Sequence, residues 1–248
     1  MTLTQLLIIV SEWMGVGSVT WIAGLSPRFH RRPITFIYQR RENIISFSLL
    51  ALALLVGFFV KLELARAEVK PILSLPDVVF LRIILAIVLL VPFIIALIYR
   101  RQPIRTIGWG NKTFRPAFQL GLGLAILVIF LHGKIFSIIN NFNTSQIILY
   151  LVILLTALIE ESVFRGFILI RLDSGFGKIT GLIVTALLFT LWRAAFFIAK
   201  GDTLDVIIPS IAITLVQSLL LGWIVQKSGH IISPALYRSV SDFVQYLP

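Results

Sequence analysis

Residues 160–165 read Glu-Glu-Ser-Val-Phe-Arg, inside a stretch from Gln146 to Ile170 that is otherwise apolar enough to cross a bilayer. A charge at the centre of a bilayer costs on the order of 3 kcal/mol by insertion scales and more by simulation. Ionisable side chains at that depth therefore normally face the protein interior or a wet cavity and have a function there. On a helix Glu161 and Arg165, four residues apart, share a face, whereas Glu160 points about 100° away. One carboxylate can then pair with the guanidinium while the other is left for acid or base chemistry on water. The same residues also suit a structural ion pair that fixes how two helices pack. Residue types and spacing leave both readings open.

Composition sets what must position these groups. Hydrophobic residues make up 58% of the 248-residue chain and charged residues 13%, which places it among polytopic membrane proteins. The expected fold is all-α: a transmembrane helical bundle of about eight helices, forming one integral membrane domain. Its amino-terminal helices occupy 1–145 and a core that carries the chemistry occupies 146–248. The excess of 22 Lys plus Arg over 11 Asp plus Glu is explained by membrane topology, so no nucleic-acid partner is expected. With no cysteine there is no thiol nucleophile, disulfide or thiolate-bound zinc. His30, His132 and His230 lack metal-site spacing, and no cofactor is expected.

Apolar windows recur at about 5–25, 43–61, 79–99, 117–137, 146–170, 179–199, 206–226 and 231–247, most of them near the roughly 20 residues a spanning helix needs. The first lacks a basic leader region and carries Glu12, so it reads as a retained helix. Basic clusters follow alternate spans: Arg28, Arg31, Arg32, Arg40 and Arg41; then Arg100, Arg101, Arg105, Lys112 and Arg115; then Arg171 and Lys178; then Lys227. Loops of that kind stay cytoplasmic, which puts both termini outside. The expected location is a bacterial plasma membrane. The last window holds Ser233-Pro234, read as an N-cap and first helical proline. That leaves 14 residues, about 21 Å of helix at 1.5 Å per residue, a short last helix. The ten prolines mostly fall near the expected helix ends.

The order of features after residue 146 adds a resemblance. A Glu-Glu-x-x-x-Arg motif on a late transmembrane helix is followed by a helix with Phe189, a helix with Gly222, a Ser-Gly turn and a short terminal helix. This resembles the CAAX-protease and bacteriocin-processing (CPBP, or Abi) family over about residues 146–247. The resemblance implies an intramembrane peptidase fold whose first motif is Glu160, Glu161 and Arg165. It further implies a glutamate that activates water, with histidine and asparagine supporting the oxyanion. The family's second motif is phenylalanine followed four residues later by histidine; here Phe189 is followed by Arg193. Where the last histidine would fall stands Arg238, with Asp242 in the asparagine place.

Arginine cannot accept a proton or alternate between donor and acceptor as imidazole does. It can donate to an oxyanion, but it also pairs with carboxylates and occupies them. Glu160, Glu161 and Asp242 against Arg165, Arg193 and Arg238 make three negatives and three positives, a set able to close on itself as a neutral network. The expectation is a catalytically impaired family member that acts as a scaffold or accessory subunit for another integral membrane protein, in addition to its contact with the lipid bilayer. The amino-terminal helices are its candidate docking surface. The alternative is an active glutamic endopeptidase, of CAAX or bacteriocin-processing type, with arginines as oxyanion donors.

Other residues receive structural readings. Glu12 is placed near the outer interface, with contact to a partner or to an arginine of the cluster as the alternative, and the five tryptophans, Trp109 and Trp192 among them, are placed as interfacial anchors. His132 and Lys134 are read as snorkelling or facing a cavity, and no role is assigned to them. The arginines and aromatic residues of 26–41 suit either anionic lipid or a cytoplasmic partner, with lipid as the default reading. Ser162 has no base at a recognisable spacing and is not taken as a nucleophile.

Overall fold

A bilayer core gives backbone N–H and C=O groups no water to bond, so each apolar window must satisfy its own hydrogen bonds as a helix. The computed structural model describes residues 3–29, 34–69, 75–141 and 143–247, with backbone alone at 3, 64–69, 75–82, 111, 141, 199 and 200. His30, Arg31, Arg32 and Lys70, and the side chains of Arg66, Glu68, Asp77 and Lys200, lie outside that description. The helices are α1 (Leu3–Gly24), α2 (Gln39–Val69), α3 (Leu75–Tyr99), α4 (Asn111–Leu131), a short α5 (Ile135–Asn141) and α6 (Thr144–Glu161). A π-helical segment, Ser162–Leu169, carries α6 into α7 (Ile170–Phe176), and α8 (Lys178–Lys200), α9 (Leu204–Ser228) and α10 (Ile232–Phe243) follow. The described residues include no strand, and the fold is the expected polytopic helical bundle.

Six helical stretches among the described residues are long and apolar enough to cross a membrane. The other two expected windows are helical as well, and one of them, the last, is short. In α3 the apolar stretch described is Ile83–Tyr99. The 12 residues of α10 give about 18 Å of helix against a hydrocarbon core of about 30 Å. The N-cap reading of Ser233 needs correction, because α10 begins at Ile232 with Ile231 as its cap. Ser233 sits in the first turn, where its hydroxyl donates to the Ala117 carbonyl at 2.8 Å. Pro234 at the third helical position still costs no intrahelical bond, since the first four N–H groups have no partner there. Pro92, Pro116 and Pro209 lie inside α3, α4 and α9 and not at their ends.

Between lipid-solvated helices there is little hydrophobic driving force, so dispersion contacts and close backbone approach hold the bundle. One core joins Val16 of α1, Leu124 and Val128 of α4, Leu221 of α9, and Tyr237 and Val240 of α10. A second joins Leu50 of α2, Phe93 of α3, Phe164 and Phe167 of the π segment, and Phe189 and Trp192 of α8. Both cores draw on the amino-terminal helices as well as the later ones. Gly121 lets α4 and α10 meet: a Cβ there would lie 2.9 Å from the Ser233 Cα.

The basic loops gather at one end. Phe36 N–H donates to Ser174 Oγ at 3.1 Å, Arg171 Nε donates to Glu42 at 3.0 Å, and Arg28, Arg100, Arg105 and Lys112 border one groove. This grouping is what alternating spans require.

The α4–α10 contact gives a test with an internal control. Gly121→Ala overpacks backbone against backbone and should cost about 1–3 kcal/mol, seen as a lower melting temperature in detergent. Gly123→Ala, whose Cβ would meet nothing within 4 Å, should leave the melting temperature unchanged or raise it slightly.

Candidate active site

The helix bearing the glutamates starts at Asn143, whose Oδ1 accepts from the Gln146 N–H at 3.0 Å as an N-cap. Just past Glu161, Ser162 Oγ donates to the Leu158 carbonyl at 2.7 Å. That bond competes with the backbone for the same acceptor, and the helix widens into the π segment at this residue. Single π turns inside α-helices are uncommon and cluster at functional sites. All eight residues of Ser162–Leu169 are buried. Trp109 Nε1 donates to Ser162 Oγ at 3.0 Å, which gives that serine a structural role. Gly166 lies so close to the Ile107 carbonyl that any Cβ would collide with it.

This framework brings Glu160, Glu161, Arg165 and Arg238 together in the interior. Arg165 Nη1 donates to Glu161 Oε1 at 3.1 Å, the expected i,i+4 pair. Its Nη2 donates to Ser218 Oγ at 2.8 Å on α9. Arg238 on α10 reaches across to both glutamates: Nη1 donates to Glu161 Oε1 at 3.1 Å and Nη2 donates to Glu160 Oε2. Trp192 Nε1 donates to the other oxygen of Glu160 at 2.9 Å. Arg238 Nε also faces Asp242 Oδ2 at 3.6 Å along its own helix. The Phe189 ring lies under both guanidinium groups, with its centroid 4.1 Å from Arg165 and 4.9 Å from Arg238. Cations over an aromatic face keep some electrostatic compensation after desolvation.

The two glutamates end in different surroundings. Glu161 is fully buried; both guanidinium groups converge on its Oε1, and Oε2 has no hydrogen-bond partner among the described residues. Glu160 borders a cavity of about 320 Å³ shared with Lys61, Arg193, Arg238 and Asp242. Arg193 stands half-buried on that wall with no hydrogen bond to either glutamate, so it joins the site by position and not by pairing. Lys61 is the residue that spacing could not reveal. It lies on α2, donates to the Trp192 carbonyl and sits 3.6 Å from the centroid of that indole. The three-against-three charge count therefore gains a fourth basic side chain. No group of three or more His, Cys, Asp or Glu among the described residues is placed to hold a metal ion.

Two structural readings need correcting. Trp192 is buried against Glu160 and is not an interfacial anchor; Trp109, half-buried, serves Ser162. Glu12 is also buried: its carboxylate meets His132 Nε2 at 2.7 Å and accepts from Tyr237 and Ser241 at 2.8 Å each. His132 thus has a specific partner, and Lys134 donates to the Leu247 carbonyl at 2.9 Å.

Removing one member of a buried pair leaves the other uncompensated, at about 3–5 kcal/mol. Glu161→Gln and Arg238→Ala should each lower thermal stability in detergent by an amount of that order. The double variant should lose clearly less than the sum, since both changes break one shared contact; strict additivity would contradict the geometry.

Residues 141–244, which include Glu160, Glu161, Arg165, Arg193, Arg238 and Asp242, match the family model described as Rce1-like, type II CAAX prenyl endopeptidase Rce1-like. No curated protein and no solved structure matches the chain. The likeness to the CAAX prenyl endopeptidase family thus covers this carboxy-terminal region, which carries Glu160, Glu161 and Arg165 at the centre of a helical membrane bundle.

Proposed function

We propose that this protein is a catalytically impaired CAAX-protease-like membrane protein that acts by binding another integral membrane protein. The observation that supports this is the bridge from Arg238 to both glutamates. A glutamate that activates water must direct a free lone pair at it and take up its proton. Here one Glu160 oxygen accepts from Trp192 and the other from Arg238, while Glu161 accepts from two guanidinium groups on Oε1 and is fully buried away from the cavity, so its second oxygen has no access to water there. Arginine, unlike histidine, can neither relay that proton nor leave its carboxylate by becoming neutral. The scaffold remains while the proton chemistry is lost, and α1–α3, outside the matched region, supply the docking surface for the partner.

A second reading rests on the cavity beside Glu160. Arg193 and Arg238 line it together with Glu160, so a carbonyl placed there would have two permanent cations as oxyanion donors. In that reading the protein is an active glutamic endopeptidase.

Purified protein should leave prenylated and transmembrane peptides uncut, and Glu160→Ala should keep co-purifying the same membrane partner as the wild type. Arg193→His combined with Arg238→His should bring weak proteolysis, because proton-accepting groups then face a glutamate pair already in place. Wild-type cleavage that disappears in Glu160→Ala would overturn the scaffold reading in favour of the peptidase.

A further inference from the structure

Away from the glutamates, a groove of about 1750 Å³ opens at the end where the basic loops meet. Three separate segments build it: residues 34–38, the turn Ile104–Ile107, and the start of α4. The exposed side chains of Arg28, Arg105 and Lys112 project along it. Among the described residues no carboxylate forms an ion pair with any of these three. Glu42, the carboxylate on the lining, is buried and accepts from Arg100, Gln102 and Arg171. The charge presented to a ligand is therefore cationic.

The rim is also strongly apolar. Ile37 is 92% exposed and Ile104 66%, with Tyr38 and Phe114 exposed beside them. The groove lies where α2 begins, α3 ends and α4 begins, so it sits at the end of the spanning helices, at headgroup depth. Cations beside unpartnered apolar side chains at that depth match one chemistry, a phosphate joined to an acyl chain. We propose that this groove binds an anionic glycerophospholipid. The phosphate is held by Arg28, Arg105 and Lys112, and the acyl chain lies against Ile37, Ile104 and Phe114.

The groove floor touches the framework of the glutamate site. Trp109, on its wall, donates to Ser162 at 3.0 Å, and the Gly108 carbonyl accepts from Ile231 N–H at 3.3 Å at the start of α10. A lipid seated there braces residues 104–110 between the π segment and α10, so occupancy should register as thermal stability of the whole bundle.

The test uses the full-length protein in an uncharged detergent, titrated with short-chain phosphatidylglycerol, short-chain phosphatidylcholine or inorganic phosphate. Melting temperature and bound lipid by native mass spectrometry are followed. Phosphatidylglycerol is expected to bind and raise the melting temperature, whereas phosphatidylcholine and inorganic phosphate at the same concentrations leave it unchanged. Each cation near an anionic headgroup is worth roughly fivefold in affinity. The triple variant Arg28→Gln, Arg105→Gln, Lys112→Gln should therefore bind about 100-fold more weakly, while melting like wild type without lipid. Should the triple variant fail to fold, each single variant is expected to bind about fivefold more weakly. Arg40→Gln with Arg41→Gln removes two charges from the same end outside the groove and should change binding less than twofold. Equal binding by the groove variants, an equal response to phosphatidylcholine or to free phosphate, or an equal loss in the Arg40/Arg41 pair would each overturn the proposal.

Discussion

A guanidinium cannot be left unpaired in a membrane interior, and Arg238 meets that constraint from a helix too short to cross the bilayer. Being enclosed by α4, α6 and α9, α10 must satisfy its polar groups within the protein. It does so on two sides. Arg238, with Asp242 beside it on the same helix, faces the glutamate pair, while Tyr237 and Ser241 both donate to Glu12 on α1. The short helix is thus held between two buried carboxylate centres, one supplied by the family-matching region and one by the amino-terminal helix. Its orientation, and with it the position of Arg238, depends on both.

The same geometry sets what an arginine at position 238 does against what a histidine there would do. Imidazole can hold a carboxylate or a water through a single nitrogen and release it on losing or gaining a proton. The Arg238 fork instead spans two carboxylates at once, and the planar, permanently charged group that makes this bridge resists exchange. Trp192, Phe189 and Ser218 complete the enclosure. Lys61 and Arg193, which are not bonded to the glutamates, give the adjoining cavity its excess of basic groups.

Much of this was legible in the sequence where helical spacing or a family motif carried it. The Glu161–Arg165 pair follows from a four-residue separation, the different direction of Glu160 from its adjacency, and the Arg238–Asp242 contact again from spacing. The convergence of Arg238 on the glutamates followed from charge balance. Arg193, expected there by the same logic, lines the cavity instead, since its place on α8 carries it past the carboxylates. Lys61 was out of reach because 99 positions separate it from Glu160 and only the packing of α2 on α8 joins them. Trp192 and Glu12 were misplaced for a common reason: position within an apolar window indicates depth, not which face turns inward. The π segment left no periodic signature, and only the Ser162 bond to Leu158 supplies its local cause.

The central claim is that both glutamates are held as ionised partners of arginine. Infrared difference spectra of protein carrying carbon-13-labelled glutamate, wild type minus Glu160→Gln and wild type minus Glu161→Gln, read this directly, because ionised and protonated carboxyl groups absorb in separate regions. The account predicts that each substitution removes an ionised carboxylate band at neutral pH and no protonated carboxyl band. A protonated carboxyl band in the wild type that vanishes with Glu160→Gln would contradict it, because it would show an acid poised for proton transfer where the structure places an ion pair.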